Sequence, residues 1–351
     1  MHPRSFAILL WIGLYLVMAE FALEVRGAVR GYDTILFGDH KRHDDPTGRQ
    51  VGGAQAALTQ VESAFLPVPR QGETRYWIAS SSHAEDSYLA REIVFPSVLE
   101  RLLRESGHEA VVINASRAGL DIPDNRRDLE SRGGALQPNI VLLYQMSATI
   151  NNLSKRLLSG ADPRLRRVDE ARENTTTVNK VNGVVRLFER TSLYAQIKGN
   201  VTSRLVTQRV LADSLGAQGE AEFEGLLMEF IATAKQVGAT PVLCTFASSH
   251  LRKNLSSMPD SVATLVFKYN SYLSLTGWVN TIERFNQVIR RVAEREQVLL
   301  IDVEAALAGQ HDLFRDYVHF TPVGHEMMAK VLYRGLMQSL TRRPAHDLVK
   351  H

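Results

Sequence analysis

The sequence predicts an α/β protein of three layers, a parallel sheet with helices packed on both faces. Three observations point to it. Five short apolar runs rich in β-branched residues recur between positions 74 and 303, several intervening segments carry a helical apolar stripe, and the two kinds of segment alternate. Apolar runs of roughly four to eight residues without polar alternation are the mark of strands buried on both faces. Strands that alternate with helices pair in parallel, with the helices above and below the sheet. Sheets of this kind hold ligands at the carboxyl ends of their strands.

The elements follow in order. "FAILLWIGLYLVMAEFAL", residues 6–23, carries one charge, Glu20. A helix of about 20 apolar residues spans a hydrocarbon core of about 30 Å. A cleaved signal peptide is the alternative, with "AEFA" as its cleavage site, but Phe21 and Leu23 continue the apolar run beyond it. Residues 1–30 are therefore read as an uncleaved signal-anchor, a transmembrane helix that attaches the protein to the membrane. The body then lies outside the cytoplasm, periplasmic or extracellular. Arg4 and the terminal amine oppose Arg26 and Arg30 across the span, so charge leaves its orientation open. Residues 31–73 read as a linker and approach segment in which "ILFGDH" (35–40) is the one strand-like run.

"TRYWIAS" (74–80), "EAVVINA" (109–115), "PNIVLLYQ" (138–145), "ATPVLCTF" (239–246) and "QVLLIDV" (297–303) are the five predicted strands. Helical stripes cover 89–105, despite Pro96, then 222–237, then 281–295 through Ile282, Phe285, Val288, Ile289 and Val292. Residues 150–220, about the span of a helical insertion, lack strand signals. Their first part, "SKRLLSGADPRLRRVDEAR", is basic and suits either a solvated cap or a lid over an anionic group. Thr321 and Pro322 supply an N-cap and a first-turn proline for a last helix. The main domain is thus 74–340, with a tail at 341–351.

Composition narrows the function. The 351 residues hold 41 Lys and Arg against 38 Asp and Glu, a net charge of +3, too small an excess to indicate a nucleic-acid partner. Cys244, the single cysteine, excludes an intrachain disulfide and Cys-based metal sites and reads as a buried strand residue. Oligomeric state leaves no signal.

In "FRDYVHFTPVGHEMMA" (314–329), Asp316 precedes His319 by three residues. A serine hydrolase needs a hydroxyl nucleophile, an imidazole base within hydrogen-bond reach, and a carboxylate that orients the imidazole. One tight turn can return the Asp316 carboxylate to His319 Nδ1. The serine then belongs at the end of the first strand, where Ser80, Ser81 and Ser82 follow Ala79.

With "IASSSH", "INASRAG" and "DYVHFTPVGH", the sequence resembles the SGNH/GDSL hydrolase family over about residues 74–338. The resemblance implies a flavodoxin-like sheet, with Ser82 as nucleophile and Ser80 and Ser81 at the family's glycine positions. It also implies His319 as base, Asp316 as its orienting carboxylate, and the backbone N–H groups of Ser82 and Gly119 as oxyanion donors. No metal or organic cofactor is implied. The implied substrates are small acyl esters or O-acylated extracellular glycans, with hydrolysis or acyl transfer as the outcome. "FGDH" (37–40) mimics the family's first block, but His40 stands where the serine should and the run lies too far upstream of "INASRAG".

The third block departs from the pattern. "VLLYQMSATINN" puts Met146 at the family's glycine and Ala148 at its oxyanion asparagine. An Ala side chain donates no hydrogen bond, and one lost donor typically costs about 10²- to 10³-fold in rate. Asn151 or Asn152 can substitute if the loop is longer by about a turn. Two rivals therefore stand beside the enzyme: a binding protein on the same fold that holds acylated glycan without turnover, and a metal-dependent hydrolase using His40, His43, Asp44 and Asp45, a cluster more simply read as solvated linker. Of the remaining candidates, His325 reads as helix-surface packing, and His83 as either a site-lining or an exposed first-turn residue. Trp77 and Tyr144 read as core. Asn174 and Asn200 are glycan acceptors only in a eukaryotic secretory pathway.

Overall fold

A computed structural model describes residues 69–86, 89–158, 211–270 and 272–342, together with residues 15, 17–22 and 25. The chain divides into two compact units, Met1–Arg49 with Asp162–Arg209, and Gln50–Ala161 with Val210–His351; the sheet belongs to the second. The strand-like run 35–40, the acidic and histidine cluster 40–45, and most of the 150–220 insertion lie outside the described residues. So does most of the apolar stretch 6–23, of which residues 15 and 17–22 are described, as helix. Among the described residues no helix is long and apolar enough to cross a membrane.

The five predicted strands form one parallel sheet: β1 (Thr74–Ala79), β2 (Ala110–Asn114), β3 (Ile140–Leu143), β4 (Thr240–Cys244) and β5 (Leu299–Ile301), in the order β2-β1-β3-β4-β5. β1 is interior, with Tyr76, Trp77, Ile78 and Ala79 at most 1% exposed, so a continuous apolar run was the only pattern that could serve it. Trp77, Tyr144 and Cys244 are buried, as the sequence indicates. β1 pairs with β2 on one side (Ile78 opposite Asn114) and β3 on the other (Ala79 opposite Leu143). The connections leaving these strand ends therefore diverge, and the crevice between them is where doubly wound sheets bind ligands.

The α-helices described in the sheet-bearing unit are α1 (Ser82–Glu85), α2 (Phe95–Glu105), α3 (Ile122–Leu136), α4 (Ser147–Leu158), α5 (Gly216–Gln236), α6 (Asp260–Tyr269), α7 (Leu275–Arg295), α8 (Val303–Leu307) and α9 (Pro322–Arg342). α2 packs on α9, and α5 packs on both α3 and α7, as right-handed crossovers from this strand order require. The predicted helix 89–105 begins only at Phe95, because Pro96 lacks an N–H and is accommodated in a first turn. α3 carries only a weak apolar stripe and owes its start to a capping box: Asp121 Oδ1 accepts from Asp124 N at 2.9 Å and Asp124 Oδ2 from Asp121 N at 3.3 Å.

α9 starts where expected. Thr321 Oγ1 accepts from Gly324 N at 3.1 Å, a cap of the kind that contributes about 1 kcal/mol. Gly324 is required for a second reason. A Cβ there would stand 2.0 Å from the Leu313 carbonyl oxygen, so only glycine lets α9 press against the turn that leads into Asp316 and His319.

Candidate active site

The site grows from the carboxyl end of β1. Beyond Ala79, Ser80 Oγ donates to the Tyr144 carbonyl at 2.5 Å, which fastens the chain to the end of β3. Ser81 occupies the N-cap of α1 and Ser82 its first position. Ser82 Oγ lies 2.8 Å from His319 Nε2, and His319 Nδ1 lies 2.7 Å from Asp316 Oδ2. The other carboxylate oxygen, Asp316 Oδ1, accepts from the backbone N–H groups of Val318 and His319, both at 2.9 Å. Burial acts to raise the Asp316 pKa, but the hydrogen bonds from His319 and these N–H groups outweigh it and hold the carboxyl below its ordinary range. An ionised Asp316 fixes the proton on Nδ1 and leaves Nε2 to accept from Ser82. Fold and loop thus bring together the three residues the sequence singled out, across 237 positions.

A second cluster, which sequence reasoning missed, holds the two halves together. Asp86 directly follows α1, with its N–H donating to Ser82 O at 3.0 Å and its backbone in the left-handed region, φ 28°. Its fully buried carboxylate receives Arg315 Nη2 at 3.0 and 3.2 Å and lies 3.2 Å from His325 Nε2. Burial would raise the Asp86 pKa; His325 and Arg315 lower it by more. Arg315 is the neighbour of Asp316, and its N–H donates to His319 O at 2.8 Å. The pair Asp86–Arg315 is therefore a brace between the nucleophile's helix and the histidine's loop. Partners 229 positions apart leave no local pattern to read. His325, expected on a helix surface, is completely buried, its Nδ1 accepting from Phe95 N at 3.2 Å. The packing of α9 on α2 turned it inward.

His83 also departs from expectation. It neither lines an open site nor sits exposed in a first turn; it is wholly buried. Nδ1 is 2.9 Å from Ser81 Oγ, and Nε2 is 3.0 Å from Ser147 Oγ. The ring stacks on that of His319 at 5.5 Å and meets Phe246 edge-on at 5.0 Å. Burial, reinforced by His319, lowers its pKa to about 3, so the ring is neutral at ordinary pH. The Ser81 hydroxyl is thus directed at His83 and does not line the site.

Gly119 adopts φ +83° in the turn after β2, where Leu120 N donates to Arg117 O at 3.2 Å. The Ala118 N–H is taken by Glu85 Oε2 of α1. No hydrogen bond among the described residues uses the N–H of Gly119 or of Ser82, and unpaired donors following the neighbouring strands β2 and β1 are of the kind that serves a developing oxyanion. The longer loop expected to return Asn151 or Asn152 is not there. α4 starts at Ser147, immediately after Met146, and carries both asparagines into its second turn. Asn152 Nδ2 donates to Asp121 Oδ2 at 2.8 Å, and Asn151 Oδ1 is buried without a partner. A helix start, not a longer loop, thus follows β3, and the Asn152 amide is turned to Asp121. Among the described residues no group of three His, Cys, Asp or Glu side chains could hold a metal ion.

A family model described as GDSL-like lipase/acylhydrolase matches residues 81–327, over two thirds of the chain. The chain belongs to the GDSL-like lipase/acylhydrolase family. A comparison with curated proteins finds no match. Among solved structures, this acylhydrolase-family chain is similar to an acetyl xylan esterase (13% identity, 75% of this chain and 99% of that one, TM-score 0.44). It is also similar to a lipase/acylhydrolase from Enterococcus faecalis (14%, 78% and 100%, TM-score 0.44) and a GDSL-like lipase from Bacteroides thetaiotaomicron (11%, 79% and 95%, TM-score 0.45). As a GDSL-like acylhydrolase it has a serine, histidine and aspartate in hydrogen-bond sequence and lacks a side-chain amide at Ala148.

Proposed function

We propose that this GDSL-like acylhydrolase is a serine esterase or O-acyltransferase that works through an acyl-enzyme on Ser82. The observation that carries the reading is the continuous chain Ser82 Oγ, His319, Asp316, with contacts of 2.8 and 2.7 Å. Ser82 Oγ attacks the acyl carbonyl carbon while its proton passes to His319 Nε2, and the carbonyl electron pair moves onto oxygen, facing the N–H groups of Ser82 and Gly119. The tetrahedral intermediate collapses; the alcohol leaves with the proton from Nε2. Water or a sugar hydroxyl then attacks the acyl-enzyme, with the same imidazole as base. This chemistry requires no cofactor. Small acyl esters and O-acylated extracellular glycans are the proposed substrates, through the family resemblance and the apolar segment 6–23, whose length suits a membrane anchor with the catalytic unit outside the cytoplasm.

Two measurements test these parts separately. A fluorophosphonate probe on the folded protein is expected to label Ser82, identified by peptide mass, with labelling abolished in Ser82→Ala. Folded wild-type protein that stays unlabelled would instead support the binding-protein reading, which the missing amide at position 148 favours. For the anchor, the full chain is expected to sediment with membranes through a carbonate wash and to become soluble when residues 1–30 are removed; a full chain released by carbonate would rule the anchor out.

A further inference from the structure

The site lacks one expected donor, and the described residues nearest that gap offer a hydroxyl instead. Ser147 immediately precedes Ala148 and opens α4, at the carboxyl end of β3, next to β1 in the sheet. Several ties draw this corner onto the Gly119 turn. Gln145 Nε2 donates to Leu120 O at 2.7 Å, Ile122 N to Thr149 Oγ1 at 3.2 Å, and Asn152 Nδ2 to Asp121 Oδ2 at 2.8 Å. On the other side, Glu85 of α1 holds Ala118. The Gly119 turn is clamped between the helix that begins with Ser82 and the helix that begins with Ser147. Three neighbouring strands therefore deliver one group each to the same crevice: the Gly119 N–H, the Ser82 N–H and the Ser147 hydroxyl.

We propose that Ser147, held by His83, supplies the third oxyanion hydrogen bond that Ala148 cannot. This rests on the acyl-enzyme reading above. His83 is a positioning residue; its ring is sandwiched between two hydroxyls, 2.9 Å from Ser81 Oγ and 3.0 Å from Ser147 Oγ, with no other partner for either hydroxyl among the described residues. A neutral imidazole has one N–H and one lone pair. With the proton on Nδ1, the Ser147 O–H is consumed by the ring. With the proton on Nε2, Ser81 donates to Nδ1, Ser147 Oγ accepts from Nε2, and the Ser147 O–H turns free. Both tautomers make the same two bonds in the resting enzyme. Negative charge on the substrate oxygen selects the second, because only then does Ser147 donate to it. The interaction strengthens as the oxyanion forms, the condition for a contact to raise kcat instead of merely lowering KM.

The test is steady-state hydrolysis of p-nitrophenyl acetate by full-length protein, comparing wild type with Ser82→Ala, Ser147→Ala, Ser147→Thr and Ser147→Cys. Ser147→Ala is expected to lower kcat by about 10²-fold with KM within about twofold. Ser147→Thr, which keeps the hydroxyl, should recover most of the rate. Ser147→Cys, nearly the same size but a weak donor, should lose at least about tenfold and serves if the alanine variant does not fold. A kcat for Ser147→Ala within twofold of wild type overturns the inference while leaving the acyl-enzyme intact. Equal losses in the alanine and threonine variants, with lowered melting temperatures, would show a packing role and also overturn it. Wild-type turnover that persists in Ser82→Ala, or no wild-type turnover, overturns the acyl-enzyme reading and this inference with it.

Discussion

Asp316→Asn is expected to lower kcat by about 10⁴-fold while leaving the fold in place. The asymmetry of the Asp316 contacts dictates this. Oδ1 accepts two backbone N–H groups, from Val318 and His319, and Oδ2 accepts from His319 Nδ1. An asparagine keeps the loop closed only by pointing its oxygen at the two backbone donors, and its NH₂ then faces Nδ1. Nδ1 must become the acceptor, and the single proton of the neutral ring moves to Nε2, the atom 2.8 Å from Ser82 Oγ. A protonated Nε2 cannot take the serine's proton. The base is therefore lost through the wrong tautomer while both backbone bonds survive, so the melting temperature should change little. Kinetics and a thermal melt on the same sample check both halves. A kcat within tenfold of wild type would mean that Asp316 does not set the tautomer.

The second large effect is on acid stability. Folded His83 has a pKa of about 3 against 6.5 for an ordinary histidine, chiefly through burial. His319 and His325 lower it further, and Asp316 and Asp86 partly oppose them. A depressed histidine pKa means that the unfolded chain binds a proton as pH falls through 6.5 while the folded protein refuses it until about 3. Stability is thus unaffected above 6.5 and declines between 6.5 and about 3, by roughly 4 to 5 kcal/mol at 1.36 kcal/mol per pH unit. Asp316 and Asp86, whose folded pKa values are lowered, add stability above the ordinary carboxyl range and lose it only below pH 3.8. His250, lowered by burial and by His311, acts with the same sign as His83. A His83→Gln variant isolates the buried ring. Between pH 6 and 4.5, the slope of unfolding free energy in urea should be smaller than wild type by about one proton. Parallel slopes would show that His83 is not the group refusing the proton.

Much of this architecture was legible before any coordinates. Each of the five strands lies within its apolar run; the interior strands β1, β3 and β4 have no solvent face, so their residues have no freedom to alternate. Thr321, Pro322 and the Asp316–His319 spacing are local devices; each depends on bonds closed within three residues, so their positions in the chain suffice. Three helices are absent from the sequence reading, α3, α6 and the five-residue α8; of these α3 carries a weak apolar stripe and relies on a capping box and on packing against α5. Pro96 carried a signal that set the start of α2 later than the apolar stripe suggested.

The sequence by itself indicated the sheet, through short-range periodicity, and the Asp316–His319 pair, through its three-residue spacing; Ser82 was singled out only through the resemblance to the SGNH/GDSL family. Only the tertiary structure decided the surroundings: that Asn152 turns to Asp121, that His83 and His325 are buried, and that Asp86 braces Arg315. These outcomes depend on which elements pack together. A polar side chain's partner across more than two hundred residues is chosen by burial of the groups around it, and burial is a property of the assembled fold, not of any stretch of chain.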